Sequence, residues 1–249
     1  MVAQLPPLIV AHRGASADAP ENTLAAFGEA QRQGATWIEF DVRLAGCGTP
    51  VVLHDATLDR TTSGGGPVRD LDVGSLGNLD AGSWFAPVFA TERVPTLAAV
   101  LDLAAELGLG CNVEIKAESD AAAATTAAAV APLLAVAPVP VVVSSFVETA
   151  LFTLRRISED VAVGLLVDQP IEERHLEVAA DLGAVSLHAD RRAFREGVSD
   201  ALRERGLHPV AYTVNDVDEA RRLHRQLGVA TLITDRPRTL LAGLATAQT

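Results

Sequence analysis

Short runs rich in β-branched residues alternate along the chain with longer stretches of helical period. Leu8–Ala11, Trp37–Leu44, Cys111–Ile115, Val139–Ser145, Ala162–Val167, Ala184–Leu187, Pro209–Val214 and Thr231–Thr234 read as strands. Several are apolar at every position, the pattern of strands covered on both faces. Thr23–Gln33, Thr96–Leu107, Ser119–Val136, Glu148–Ile157, Ile171–Leu182, Arg192–Arg205, Val217–Leu227 and Pro237–Leu244 read as the intervening helices. Gly34, Gly108, Gly183, Gly206 and Gly228 follow predicted helices, and Thr96 and Asp216 precede them as caps. Eight strand–helix repeats in 249 residues predict an α/β chain folded as a closed (β/α)₈ barrel of the TIM type. An open, doubly wound sheet has the same periodicity, because periodicity does not report closure.

One segment breaks the rhythm. Pro50–His54 is a further strand-like run, and no helical pattern resumes until Thr96. So long an irregular stretch inside a compact domain is usually functional or disordered. Residues about 56–95 are expected to form a small insertion, after the second strand region, over the catalytic end of one barrel domain spanning 1–249. Within it Trp84 and Phe85 either wall a substrate pocket or anchor the loop.

Composition narrows the partners. Twenty basic against 32 acidic residues leave a net charge of −12, which repels nucleic-acid backbones. The only two cysteines, Cys47 and Cys111, exclude a disulfide scaffold and a cysteine-based zinc site. The N-terminal stretch has no basic start, and Pro6 and Pro7 break its apolar run, so it does not read as a secretory signal. Ala121–Val147 carries no charge, but it is mostly Ala and Thr and is interrupted by Pro132, Pro138 and Pro140. It reads as a helix and a buried strand, not as a membrane span. The expected location is cytoplasmic.

Side chains two apart on a strand share a face. Glu39 and Asp41 therefore point one way, while Ile38, Phe40 and Val42 point the other; Glu114 and Lys116 share a face likewise. Carboxylates inside strands are costly unless paired or metal-bound. Three converging from two strands favour one divalent ion, and oxygen-only ligands select Mg²⁺ or Ca²⁺. Ion pairs with Arg13 or Arg43 are the competing explanation. His12 ends the first strand and His54 ends the strand-like run before Asp55, at the end of a barrel where active sites lie. Two imidazoles there could exchange protons with attacking and leaving oxygens, or serve only as structural donors. Among the other histidines, only His188 sits near a predicted strand end, and it is the one further candidate for the pocket. Lys116 is the single lysine beside 19 arginines, placed where an ammonium could meet a phosphate oxygen.

In order, His12-Arg13-Gly14, Pro20-Glu21-Asn22-Thr23, Glu39-Phe40-Asp41-Val42, Val51-Val52-Leu53-His54-Asp55 and Glu114-Ile115-Lys116 resemble the glycerophosphodiester phosphodiesterase family. The resemblance continues through Thr57-Leu58-Asp59-Arg60-Thr61-Thr62, Leu79-Asp80-Ala81-Gly82, Ser144-Ser145-Phe146, Tyr212-Thr213-Val214-Asn215 and Thr234-Asp235-Arg236-Pro237. It implies a metal-dependent barrel enzyme that hydrolyses a glycerophosphodiester to an alcohol and glycerol 3-phosphate. By matching positions, Glu39, Asp41 and Glu114 would hold the metal, His12 and His54 would act as acid and base, and Arg13 and Lys116 would hold the phosphate. Tyr212 stands where the family often has Trp; it keeps an aromatic wall and adds a hydroxyl. Related barrels with the same histidines and acids make a lysophospholipase D-type enzyme acting on lipids the alternative, and a non-catalytic barrel binding a phosphorylated ligand a further one.

Overall fold

The computed structural model describes residues 4–168 and 170–245. Met1–Ala3, residue 169 and residues 246–249 of the expected 1–249 domain lie outside the described residues. Among the described residues nine strands form the sheet: β1 (Ile9–His12), β2 (Trp37–Leu44), β3 (Pro50–Val52), β4 (Gly110–Ile115), β5 (Val141–Ser145), β6 (Ala162–Val167), β7 (Ser186–Asp190), β8 (His208–Tyr212) and β9 (Thr231–Thr234). The helices are α1 (Leu24–Arg32), α2 (Val73–Leu76), α3 (Leu97–Leu107), α4 (Asp120–Ala135), α5 (Glu148–Ile157), α6 (Glu173–Leu182), α7 (Val198–Glu204), α8 (Val217–Arg221) and α9 (Pro237–Ala245).

β1 pairs in parallel with both β2 and β9, and the remaining strands follow in the order β9-β8-β7-β6-β5-β4-β2. The sheet therefore closes into an eight-stranded parallel barrel with helices between its strands, and the open alternative falls. β3 lies antiparallel on β2, as a hairpin outside the ring. Closure sets the register that matters: His12 is beside Glu39, and Asp41 is beside Glu114. The two-residue period of β2 turns Glu39 and Asp41 inward and Phe40 outward against Phe27 of α1, with ring centroids 5.6 Å apart. Burying that outer face holds α1 on the barrel, at roughly 1.5–3 kcal/mol for each large apolar side chain.

Helix caps follow the sequence signals. Thr23, Thr96, Ser119 and Asp216 each accept a backbone N–H in the first turn of the helix they precede. Two helices differ from expectation. The stretch read as Arg192–Arg205 contains a 3₁₀ turn at Arg191–Ala193, then buried Phe194, and α7 starts only after Gly197 at φ 82°. Core burial of Phe194 outcompetes local helix propensity there. The stretch read as Val217–Leu227 opens into a wide turn over Arg222–Gln226 after α8. β3 stops at Val52, so His54 lies just beyond the strand and not at its end.

Between β3 and α3 the chain builds its own small apolar cluster, with Leu58, Val68, Leu76 and Val94 packed on Val51 and Leu53. This cluster anchors the insertion beside the barrel mouth.

His188 does not reach that mouth. It is 1% exposed, shares a 2.8 Å hydrogen bond with Ser186 Oγ, and packs so tightly that a Cβ on Gly164 would lie 2.6 Å from its Nε2. Burial, with a smaller contribution from His208, pulls its pKa down to about 3. The unfolded chain protonates near 6.5 while the folded one stays neutral, so stability is fully present above that pH and falls as pH drops toward 3. Between pH 6 and pH 4, the stability advantage of wild type over His188→Gln should shrink by about 1.4 kcal/mol per unit. Urea unfolding midpoints of both proteins measure this difference, in which all other titrations cancel.

Candidate active site

The C-terminal strand ends surround a cavity of about 270 Å³ lined by His12, Arg13, Glu39, His54, Asn112, Glu114, Lys116, Ser144, Phe146, Leu166, Tyr212, Thr213 and Ile233. Below it, Glu39, Asp41 and Glu114 are buried, and one oxygen from each lies within 4.8 Å of the others. Burial and the neighbouring Asp41 charge push Glu39 up to about 6 and Glu114 up to about 8. Asp41 is buried too, but Arg13 and Lys116 hold it down to about 2. The cluster is thus short of positive charge.

Arg13 answers part of that deficit. Its backbone N–H donates to Glu39 (3.1 Å), its Nη1 donates to Glu21 (2.7 Å), and its Nε stands 3.1 Å from Asp41. Asn22 donates to Asp41 at 2.8 Å. Arg13 and Asn22 both hold left-handed backbones, φ 54° and 60°. For Arg that conformation is uncommon and costs of order 1–3 kcal/mol. Arg43 takes no part in the cluster: it pairs with Glu118 and donates to the His54 carbonyl at 2.7 Å.

Lys116 Nζ sits 2.5 Å from Glu114 and 3.3 Å from Asp41. This one ammonium is shared between two buried carboxylate oxygens, Glu114 Oε1 and Asp41 Oδ1, for which no other donor stands among the described residues. The lysine is close enough to draw the Glu114 pKa down, but burial and Asp41 outweigh it. Three buried carboxylates short of positive charge, in an all-oxygen set on two adjacent strands, suit a hard divalent cation. The donor chemistry fits.

The two histidines stand in opposite electrostatic settings. Burial draws His12 down, but a 2.6 Å contact of its Nδ1 with Asp235 and the Glu39 charge outweigh it, so its pKa rises. Asp235 is itself fixed by Ser16 (3.0 Å) and Asn215 (2.5 Å). His54 contacts Asp55 through Nδ1 at 2.6 Å, yet burial keeps its pKa below the usual value. Arg60 grips Asp55 at 2.6 Å and holds its carboxyl well below the usual range. In each case the Nδ1 contact leaves Nε2 for the cavity.

Tyr212 donates its hydroxyl to the Val167 carbonyl at 2.8 Å, so the extra polar group is spent on the wall. Its ring meets Phe146 edge-on at 6.0 Å, and Lys116 Nζ lies 5.7 Å from the Phe146 centroid. Trp84 and Phe85 are not brought to the cavity. They pack on each other, Phe85 packs on Phe89, and Trp84 Nε1 donates to the Ala81 carbonyl at 2.9 Å.

Sequence reasoning assigned no role to Asp235, Asn215, Asp55, Glu21 or Asn22, although each lies in a segment that resembles the family. Asp55 had a local signal, adjacency to His54. Asp235 had none, being 223 residues from His12.

Residues 12–239 match the model of the Glycerophosphoryl diester phosphodiesterase family. A glycerophosphodiester phosphodiesterase of Caldanaerobacter subterraneus is 34% identical over 235 residues, covering 94% of this chain and 96% of its own. A phosphodiesterase of Oleispira antarctica, solved in complex with the product sn-glycerol-3-phosphate, superposes with a TM-score of 0.92 at 32% identity, covering 97% of this chain and 98% of its own. A glycerophosphodiester phosphodiesterase of Agrobacterium tumefaciens gives 0.79 at 34% identity, covering 95% and 99%.

Proposed function

The chain belongs to the glycerophosphoryl diester phosphodiesterase family, and from that premise we propose how its residues hydrolyse a glycerophosphodiester to an alcohol and glycerol 3-phosphate. The observation that carries the reading is the grouping of three buried carboxylates with His12 and His54 at one barrel mouth.

Glu39, Asp41 and Glu114 would hold one divalent ion, Mg²⁺ or Ca²⁺, whose charge when bound offsets that of the non-bridging phosphate oxygens. Arg13 and Lys116 bind the same phosphate, Lys116 as a point charge. His54, kept neutral, takes the proton of the attacking hydroxyl, from water or from the adjacent glycerol carbon. His12, kept protonated by Asp235, gives its proton to the alcohol oxygen as the P–O bond breaks. The opposed shifts of the two rings support this division of roles. Asp235 and Asp55 are positioning residues, each fixing one ring. Tyr212 and Phe146 form the aromatic wall, and Trp84 and Phe85 anchor the insertion.

The whole chain is read as one barrel domain with residues about 56–95 inserted. No helix among the described residues is long and apolar enough to cross a membrane. A cytoplasmic location, and Mg²⁺ as the more abundant ion there, complete the reading.

With millimolar Mg²⁺ and glycerophosphocholine, the protein should release choline and glycerol 3-phosphate in equal amounts. Release of neither product overturns the reading. Choline accompanied by a cyclic glycerol phosphate identifies the glycerol hydroxyl as the nucleophile.

A further inference from the structure

The charged side chains lining the catalytic cavity all have tasks in the proposed reaction, at the ion, the phosphate or the protons. Two neutral polar side chains on the same wall have none. Asn112 is 2% exposed and Ser144 is fully buried, yet Asn112 Oδ1 and Ser144 Oγ find no hydrogen-bond partner among the described residues. Buried polar atoms are normally paired, so two orphans side by side in one cavity call for a reason.

Their position sharpens the question. Asn112 shares the inner face of β4 with Glu114, and Ser144 stands beside Glu114 on β5. Behind them the barrel interior is filled by an apolar cluster that includes Val10, Trp37, Val142 and Val210. Each of these lies two residues before a cavity-lining side chain on its own strand, so the cluster closes the inner end of the cavity. An apolar side chain at 112 or 144 would simply extend that plug. A buried amide or hydroxyl without a partner instead destabilises the fold until a ligand supplies the missing bond.

The chemistry of the pair defines the ligand group. Asn112 Oδ1 accepts, Ser144 Oγ both donates and accepts, and neither carries charge. An alcohol hydroxyl matches them, whereas a quaternary ammonium has no N–H to donate. A glycerophosphodiester offers two hydroxyls on its glycerol. The one beside the ester faces the base as a candidate nucleophile, and the terminal one has no partner in the reaction as described.

We infer that Asn112 and Ser144 bind the terminal hydroxyl of the substrate's glycerol, and so make the enzyme select glycerol over other diols on the same phosphate. That hydroxyl donates to Asn112 Oδ1 and accepts from Ser144 Oγ at the closed end of the cavity. The inference rests on the phosphodiesterase reading and adds to it two specificity-determining residues.

The test compares glycerophosphocholine with the phosphocholine ester of propane-1,2-diol at its primary hydroxyl, with Mg²⁺ present. The analogue keeps the hydroxyl beside the ester and lacks only the terminal one. Wild-type kcat/KM should be about tenfold or more lower on the analogue, because the two buried groups are then left unpaired. Ser144→Ala should lose about fivefold on glycerophosphocholine but less than about twofold further on the analogue, since the bond it removes is already missing there. Asn112→Ala repeats the comparison from the other side of the hydroxyl, should Ser144→Ala fail to fold. The Tm of the free enzyme should not fall in Ser144→Ala, because no bond within the protein is lost. Equal wild-type rates on the two diesters overturn the inference and leave the pair holding water only. Equal losses on both diesters in a folded variant overturn it as well. Absence of turnover on glycerophosphocholine overturns the phosphodiesterase reading instead, so the two failures are distinct.

Discussion

His12→Ala is expected to lower kcat on glycerophosphocholine by about 10²–10⁴-fold, with KM changed far less. The ring is held by Asp235 at 2.6 Å and lines the cavity, so its removal deletes a proton donor without emptying the phosphate site. A loss confined to kcat is the mark of an interaction made in the transition state. Substrates with a better leaving group provide the check. When the choline is replaced by p-nitrophenol, the alcohol needs little protonation, and the variant should recover most of its rate. If both esters suffer equally, His12 is not the acid. Asp235→Asn should fall between wild type and His12→Ala, because the ring remains while the group that orients it and supports its charge is weakened. Equal rates for Asp235→Asn and wild type would show that Asp235 plays no positioning role.

Chelation is expected to abolish turnover, with full recovery on adding Mg²⁺ or Ca²⁺, and Glu114→Gln should defeat that recovery. The physical reason lies in the side chains themselves: burial and the neighbouring Asp41 push Glu114 up to about 8. Binding an ion must displace that proton, so affinity should rise with pH through neutrality. Folding has the matching sign. A carboxyl whose pKa is raised in the fold binds more protons folded than unfolded, so metal-free stability declines as pH rises from the ordinary carboxylate range toward 8. At a free ion concentration 100 times the dissociation constant, the ion adds about 2.7 kcal/mol. For a chain of this size that is roughly 5–10 °C in Tm. Glu114→Gln should lose most of this metal-induced shift, yet be at least as stable as wild type without metal, since it removes an acid that repels Asp41 and Glu39. A metal-stripped wild type with full activity would falsify the assignment of the three acids.

How much of this was legible beforehand depended on distance along the chain. Glu39 beside Asp41, and Glu114 beside Lys116, followed from a two-residue period, which strand geometry enforces regardless of the rest of the fold. The placement of His12 and His54 near strand ends was equally local. The competing ion-pair explanation was half right: Arg13 does approach Asp41, while Arg43 is drawn away to Glu118. Trp84 and Phe85 could not be placed, because an aromatic pair in an irregular segment has no period to say which way it faces. His188 was drawn toward the site by its position near a predicted strand end, but β7 runs on to Asp190 and leaves it buried inside.

The amino-acid sequence by itself determined the repeating strand–helix order, the shared faces of Glu39 with Asp41 and of Glu114 with Lys116, and the kinds of donor available for a hard ion and a phosphate. Those depend on residue type and on short-range backbone geometry. Only the tertiary structure decided that β1 pairs with both β2 and β9 and so closes the ring; the β9 pairing brings Asp235 to His12, and the β2–β4 register leaves Asp41 level with Glu114. It also decided that a groove opens between the insertion and α4. Closure is a contact between distant segments, fixed by packing around the whole ring, and no local pattern encodes it.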